Sequence, residues 1–311
     1  MTAMRLPYDI VDVFTDRPFA GNQLAVVHGA DDLTTEQCQA MAREFNFSET
    51  TFPGSEVADG AEYATRIFTP EVELPFAGHP TLGTAWVLRS RGLVTADEVT
   101  QVCGAVRIGV RFDGDTDRVE LAASPRDLAG PVTPALVSSL LSDLGLERAD
   151  IAGEAWIAGC GLTFVHIPVT EEAVVRASPS RRSLEMYADR LAAVGPTSDP
   201  LDAVNLYSVT GDAPALSVHS RVFVPGLGVP EDPATGSAAA GLGMALVASG
   251  LLPEGGRYAI RQGLEMGRPS SLAGRVEAAG GVATRCHVAG QVCAVATGEI
   301  EVPDRKTRRV S

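Results

Sequence analysis

A chain of 311 residues, 45% hydrophobic and 21% charged, has the length of two globular domains at ~100–200 residues each, and its composition excludes a long disordered tract. The net charge of −14 argues against nucleic acid as a partner, because a phosphate backbone needs a basic face. The five cysteines, Cys38, Cys103, Cys160, Cys286 and Cys293, form no C-x-x-C pair; this disfavours a zinc ribbon or disulfide framework and fits a reducing cytoplasm.

The first residues, MTAMRLPYDIVDVF, carry Asp9 and Asp12 where a signal peptide needs an apolar run, so no secretion signal is read there. Tyr8 to His28 reads as two strands around a turn built from Arg17, Pro18, Gly21 and Asn22. Thr34 to Glu44 reads as a helix with Thr34 as cap and Gln37 three residues on. Strands are expected at Glu49 to Phe52 and Tyr63 to Phe68, a buried helix at Thr81 to Arg91, and strands near Ala105 to Phe112 and Arg118 to Ala122. Ser124 to Pro134, rich in Pro and Gly, reads as a linker. A helix at Ala135 to Leu144, strands around Ala155 to Val169 and a helix near Arg182 to Ala193 follow. Pro233 to Pro253 is uncharged and long enough to span a bilayer. It is mostly Gly, Ala and Ser, so a buried globular helix is expected and no membrane partner.

The only lysine, Lys306, sits in the polar tail DRKTRRVS. A pyridoxal-phosphate enzyme needs a lysine for its Schiff base, and a P-loop needs G-x-x-x-x-G-K. Neither is supported, and no cofactor or metal is expected.

Two segments recur. Arg66-Ile-Phe-Thr-Pro70 matches Arg221-Val-Phe-Val-Pro225 at an offset of 155, and Pro80-Thr-Leu-Gly-Thr-Ala85 resembles Pro233-Ala-Thr-Gly-Ser-Ala238 at an offset of 153. The matched order predicts a duplicated unit, each copy carrying R-x-F-x-P, a loop, then P-x-x-G-x-A opening a helix. A helix start has unpaired N–H groups and a positive dipole end, so it binds anions. Two such starts facing across a cleft would hold a carboxylate, with Gly78 and Thr81 on one side and Gly236 and Ser237 on the other. The same residue types also serve as ordinary helix caps. By residue type alone, Glu49 reads as an exposed salt-bridge partner, Asp232 as a turn or cap residue and His79 as a loop residue.

The blocks FNFSETTF (Phe45 to Phe52), RIFTPEVELPFAGHPTLGTA (Arg66 to Ala85) and EDPATGSA (Glu231 to Ala238) resemble three signature blocks of the PhzF-like phenazine-biosynthesis isomerases. FAGNQLAVV (Phe19 to Val27) and QGLEMGRPS (Gln262 to Ser270) are similar to two more. The resemblance implies an α+β, diaminopimelate epimerase-like fold. It has two pseudo-symmetric domains, each a curved, barrel-like β-sheet wrapped round a central helix, with the active site in the interdomain cleft. The expected division is 1–123 and 124–289, with a C-terminal segment of about 290–311 packing back on the first half.

The resemblance also implies a cofactor-independent isomerase that shifts a proton on a small unsaturated or amino carboxylate, in phenazine-type secondary metabolism. Glu49 would be the general acid/base, with His79 and Asp232 contacting the substrate and tuning its protonation. Asn22, Ser48, Gly78, Thr81, Thr235, Gly236 and Ser237 would bind substrate. The neighbouring Phe45, Phe47 and Phe52 would supply the apolar setting that raises a carboxyl's proton affinity. The epimerases of this fold use two cysteines, and neither equivalent loop here has one. An amino-acid racemase or epimerase on the same fold, or a non-catalytic small-molecule-binding protein, are the alternatives. Gln23 stands where many relatives have Pro, which bears on the substrate. Arg66 and Arg221 are expected in structural ion pairs. A cytoplasmic homodimer is expected by family analogy.

Overall fold

The computed structural model describes residues 4–54, 60–104, 106–114, 117–180, 182–197, 201–225 and 230–304. Ala105, Lys306 and the tail beyond 304 lie outside these residues.

The first half supplies β1 (Arg5–Val13), β2 (Asn22–Val27), β3 (Glu49–Gly54), β4 (Tyr63–Phe68), β5 (Glu73–Leu74), β6 (Glu98–Cys103), β7 (Val106–Phe112) and β8 (Arg118–Ala123). The second supplies β9 (Asp127–Ala129), β10 (Trp156–Gly159), β11 (Thr163–Pro168), β12 (Leu201–Asp212), β13 (Ala215–Phe223), β14 (Glu231–Asp232), β15 (Gly255–Gln262), β16 (Ser270–Ala279) and β17 (Val282–Glu301). The helices are α1 (Thr35–Phe45), α2 (Gly78–Ser90), α3 (Pro134–Asp143), α4 (Glu171–Arg176), α5 (Ala188–Ala192) and α6 (Gly236–Ala248).

Strands β1, β2, β3, β4, β6, β7, β8 and β17 pair in that order, and β17 pairs back on β1, closing an eight-stranded barrel around α2. Closure leaves no free edge among these strands. A second ring runs from β9 through β10, β11, β12, β13, β15, β16 and β17 to β8, which leads along the chain into β9, and it wraps α6. Alternation sets the faces: β7 buries Ile108, Val110 and Phe112 and turns Arg107 and Arg111 outward.

Both central helices are 13 residues long and built from small residues because a barrel wall surrounds them. A Cβ on Gly243 would lie 2.5 Å from the Tyr258 hydroxyl, and one on Gly83 would lie 2.6 Å from Leu24 Cδ2. Leu82, Leu242 and Leu246 are fully buried in the core cluster that joins the two helices to the strands, each worth about 1.5–3 kcal/mol. Helix α1 has the expected capping box of Thr34 and Gln37.

Four expectations are corrected. Helix α2 begins at Gly78 rather than Thr81, with Pro80 in its first turn, where a missing N–H is harmless. The P-x-x-G-x-A match is therefore out of register: Gly236 opens α6 and its counterpart is Gly78, at an offset of 158, whereas Gly83 lies mid-helix. Ser124 to Pro134 is not simply a linker, because β9 inside it pairs with β10. The helix expected near Arg182 to Ala193 is a 3-10 turn at Leu184–Tyr187 followed by the short α5. Tyr187 Oη, donating to Asp143 Oδ2 at 2.6 Å, ties that turn to α3.

The R-x-F match does describe equivalent structure. Arg66 forms a two-point pair with Glu73 at 2.7 Å, and Arg221 forms one with Glu231 at 2.8 Å. Each guanidinium lies 4.9 Å over the following phenylalanine, Phe68 or Phe223. Both arginines thus hold the short strand that leads into a central helix, as the expected structural ion pairs.

Candidate active site

Helices α2 and α6 start head to head. A Cβ on Gly78 would lie 3.1 Å from the Ser237 nitrogen and 3.2 Å from Gly236 Cα, so only glycine permits this approach. Neither N-cap residue, Ala77 or Thr235, gives its helix a side-chain capping bond. First-turn N–H groups have no intrahelical acceptor. Two uncapped, positively polarised ends therefore open onto one place.

That place is a cavity of about 130 Å³. Ser48, Glu49, His79, Asp232, Thr235 and Ser237 give it its polar lining, and Leu74, Leu162, Phe164, Ala203 and Val224 its apolar lining. The fold brings together residues from position 48 to position 237 because β3, α2, β14 and α6 all end there.

Glu49 opens β3 with its side chain 15% exposed toward the cavity, and its Oε2 lies 3.3 Å from His79 Nε2. The contact is close but misaligned: neither atom has a hydrogen-bond partner, though both are buried. Burial, and then the Asp232 carboxylate, push the Glu49 carboxyl well above its usual range. Burial pushes His79 down to about 3, against an opposing backbone hydrogen bond at Gln23. Both shifts favour the neutral forms, the imidazole of His79 and the carboxylic acid of Glu49.

Asp232, on β14, is pushed up to about 6, first by burial, against hydrogen bonds from Thr235, Asn22 and Ser48. Those bonds measure 2.6, 2.8 and 3.3 Å. Asn22 Nδ2 also donates to Ala234 O at 2.9 Å and lies 3.2 Å from His79 Nδ1. Its two hydrogens serve Asp232 and Ala234 best, so the imidazole contact is the weakest of the three.

The structure thus gathers Glu49, His79, Asp232, Ser48, Gly78, Thr235, Gly236 and Ser237 around the cavity. Asn22 stands one layer behind, bonded to Asp232 rather than lining the cavity. Thr81 does not belong to the site. It is fully buried, its hydroxyl donating to Ala77 O at 2.9 Å and accepting from Gln101 at 3.0 Å, because the earlier helix start moves it to the second turn. The aromatic setting expected for Glu49 is also corrected. Phe45 and Phe47 stack on each other, with Phe45 against Tyr8, and Phe52 packs edge-on against Phe68. An odd spacing along a strand turns Phe52 to the opposite face from Glu49. The apolar groups that line the cavity with Glu49 come mostly from the second half instead, with Leu74 from the first. The Gln23 side chain does not line the cavity.

Sequence reasoning did not single out that apolar wall, although the pairing register explains it. Thr50 faces Phe68 as Val204 faces Phe223, so Glu49 corresponds to Ala203 and Thr69 to Val224. Leu24 faces Glu49 as Phe164 faces Ala203, so Asn22 corresponds to Leu162. Phe68 faces Glu73 as Phe223 faces Glu231, so Leu74 corresponds to Asp232. At these four pairs of related positions one residue is polar and the other apolar, whereas His79 and Ser237, related through the helix starts, are both polar. Among the described residues, no group of three or more His, Cys, Asp or Glu is placed to hold a metal ion.

A family profile described as phenazine biosynthesis-like protein (PhzC-PhzF) matches residues 11–298. The chain is 34% identical over 295 residues to trans-2,3-dihydro-3-hydroxyanthranilate isomerase of Pseudomonas chlororaphis, covering 94% of this chain and 98% of that protein. It is similar to the solved structure of a predicted epimerase from Pseudomonas aeruginosa, with a TM-score of 0.79, 30% identity and coverage of 95% and 99%. A PhzF-family phenazine biosynthesis protein from Bacillus anthracis has the same TM-score at 23% identity, covering 96% of this chain and 99% of that one. At that identity the likeness is one of fold.

Proposed function

The chain belongs to the phenazine biosynthesis-like protein family and is an isomerase, and from that premise we propose that it moves a proton along a small unsaturated or amino carboxylate with Glu49 as general acid/base. The observation that carries this reading is the one-sided lining of the cavity. Glu49, His79 and Asp232 form one connected polar group, while the positions related to Glu49, Asn22 and Asp232 are Ala203, Leu162 and Leu74.

The substrate carboxylate sits at the uncapped starts of α2 and α6, each helix end contributing about 0.3–1 kcal/mol and up to ~2 where buried. Glu49 in its ionised form, its own carboxyl proton having been released to solvent, takes a proton from a carbon conjugated to that carboxylate. The electron pair moves through the conjugated system toward the oxygens at the helix ends, which hold developing charge better than water does. Glu49 then returns the proton to another carbon. One C–H bond breaks, another forms, the double bond shifts, and nothing is oxidised or reduced. A carboxyl whose proton affinity is raised by burial serves both steps.

Inversion at a single carbon needs a second acid/base on the opposite face of the substrate. The position related to Glu49 is Ala203, which offers none, and this favours the shift over the racemase reading. The relative's named substrate, a dihydro-hydroxyanthranilate, is a small cyclic amino carboxylate, and we take that class as the substrate here. The cavity draws on both expected halves, 1–123 and 124–289. The same reading holds the protein to be a cytoplasmic homodimer without nucleic-acid or membrane partners. The net charge argues against a nucleic-acid partner, and no helix among the described residues is long and apolar enough to cross a membrane. A monomer mass by light scattering overturns the dimer.

The test is turnover of trans-2,3-dihydro-3-hydroxyanthranilate in deuterium oxide by the wild type and by Glu49→Gln. The expected result is a shifted double bond with the wild type and a loss of about 10²–10⁴-fold or more with the variant, the share general acid–base catalysis supplies. Wild-type turnover in Glu49→Gln, or exchange with inversion at one carbon, overturns the proposal.

A further inference from the structure

Gln262 closes β15 with 2% of its surface exposed, and its amide is fully engaged. Oε1 accepts from Thr235 N at 3.2 Å, while Nε2 donates to Asp232 O at 2.8 Å and to Thr235 Oγ1 at 3.0 Å. Reversing the amide would set oxygen against oxygen and N–H against N–H, so its orientation is fixed.

We propose that Gln262 is a positioning residue that dictates the direction of the hydrogen bond on Asp232. A threonine hydroxyl has one hydrogen and two lone pairs. Gln262 occupies a lone pair of Thr235 Oγ1, so the single hydrogen goes to Asp232 Oδ2 at 2.6 Å. Gln262 also takes over the backbone N–H of Thr235, at the start of α6. That N–H is the one of the N-cap residue itself, and the Thr235 side chain makes no capping bond to the first turn. The chain of donors therefore runs one way, from Gln262 to Thr235 to the Asp232 carboxylate, and it stabilises the ionised form of that carboxylate.

Other ionisable groups surround this chain. Glu49 on β3 and His79 on α2 face Asp232 across the cavity and through Asn22. Glu231, its neighbour on β14, pairs with Arg221 of β13 and still adds to the rise in the proton affinity of Asp232. Beyond Gly263, Glu265 faces Arg221 and His219, and Arg268 pairs with Asp12 of β1. Gln262 is bonded to none of these groups; it holds Asp232 by the backbone carbonyl, and its reach to the Asp232 carboxylate runs through the Thr235 hydroxyl.

The inference rests on the proposed role of Asp232 in the site, but its test does not depend on turnover. The Asp232 carboxyl is titrated by carbon-13 NMR in the full-length wild type and in Gln262→Met, Thr235→Val and the double variant. Gln262→Met and Thr235→Val should each raise the Asp232 midpoint by about one pH unit, corresponding to about 1.4 kcal/mol. The double variant should show no further rise, since both act through one bond. If Gln262→Met does not fold, Gln262→Glu, which keeps the shape and removes the donor, should raise the midpoint at least as far. An unmoved midpoint in a folded Gln262 variant, or additive shifts in the double variant, overturns the proposal. A Glu49→Gln variant with wild-type turnover would sink the catalytic reading and leave this titration result standing.

Discussion

Replacing Asp232 with Asn separates the electrostatic and the hydrogen-bonding roles of the most heavily bonded carboxylate in the cavity. Its pKa in the folded protein is pushed from 3.8 up to about 6. A group whose folded pKa is raised stabilises the protein below its unfolded pKa and loses that contribution as pH rises through the folded one. Two units at 1.36 kcal/mol each make the loss about 3 kcal/mol between pH ~4 and pH ~7. Asp232→Asn removes this loss. It also sets an amide N–H₂ against the Thr235 hydroxyl that donates to Oδ2 at 2.6 Å, which costs about 1–3 kcal/mol. The variant should therefore be less stable than wild type at pH 4 by that amount, and by pH 8 it should be level with wild type or up to about 2 kcal/mol more stable. Removing the charge also lowers the proton affinity of Glu49, since Asp232 is one of the two causes that raise it. Urea denaturation at pH 4, 6 and 8 reads the stability difference, and the pH–rate profile reads the shift in Glu49. A variant whose stability tracks wild type in parallel across that range would refute the reasoning.

Gly78→Ala should force the two helix starts apart, because its Cβ would lie 3.1 Å from Ser237 N; steady-state kinetics should show KM raised tenfold or more. Arg221→Leu should cost about 3–5 kcal/mol, since it leaves the buried Glu231 unpaired. Arg66→Leu should cost about 1 kcal/mol or less, since the Arg66–Glu73 pair is over a third exposed; equal losses in thermal or urea unfolding would contradict this difference. Thr81→Val should destabilise by about 1 kcal/mol through its bonds to Ala77 and Gln101 while leaving KM unchanged, and a raised KM would return Thr81 to the site.

Much of the site was legible in the chain because its signals are local and chemical. Gly78 and Gly236 mark places where backbone can come close to a ligand. The R-x-F segments announce equivalent strands, and the Ser48-Glu49 and Asp232-to-Ser237 blocks carry the family likeness. The α+β class followed from that family likeness. The register of the second repeat did not follow, because Pro80 is tolerated inside a first helical turn as readily as before one. Sequence spacing therefore displaced the helix start and carried Thr81 into the site.

The tertiary structure decided what lies beside Glu49. Phe45, Phe47 and Phe52 are its neighbours along the chain, yet they pack with Tyr8 and Phe68, while Phe164, Ala203 and Val224 arrive from more than a hundred residues away to line its cavity. The single strand β17, paired in turn with β16, β8 and β1, was equally invisible, since nothing local distinguishes one long strand from several short ones. The sequence by itself determined which residues can carry the chemistry, because that is a property of side chains. Only the closed barrels determined which groups face them, because a burial-driven shift in proton affinity is set by neighbours in space.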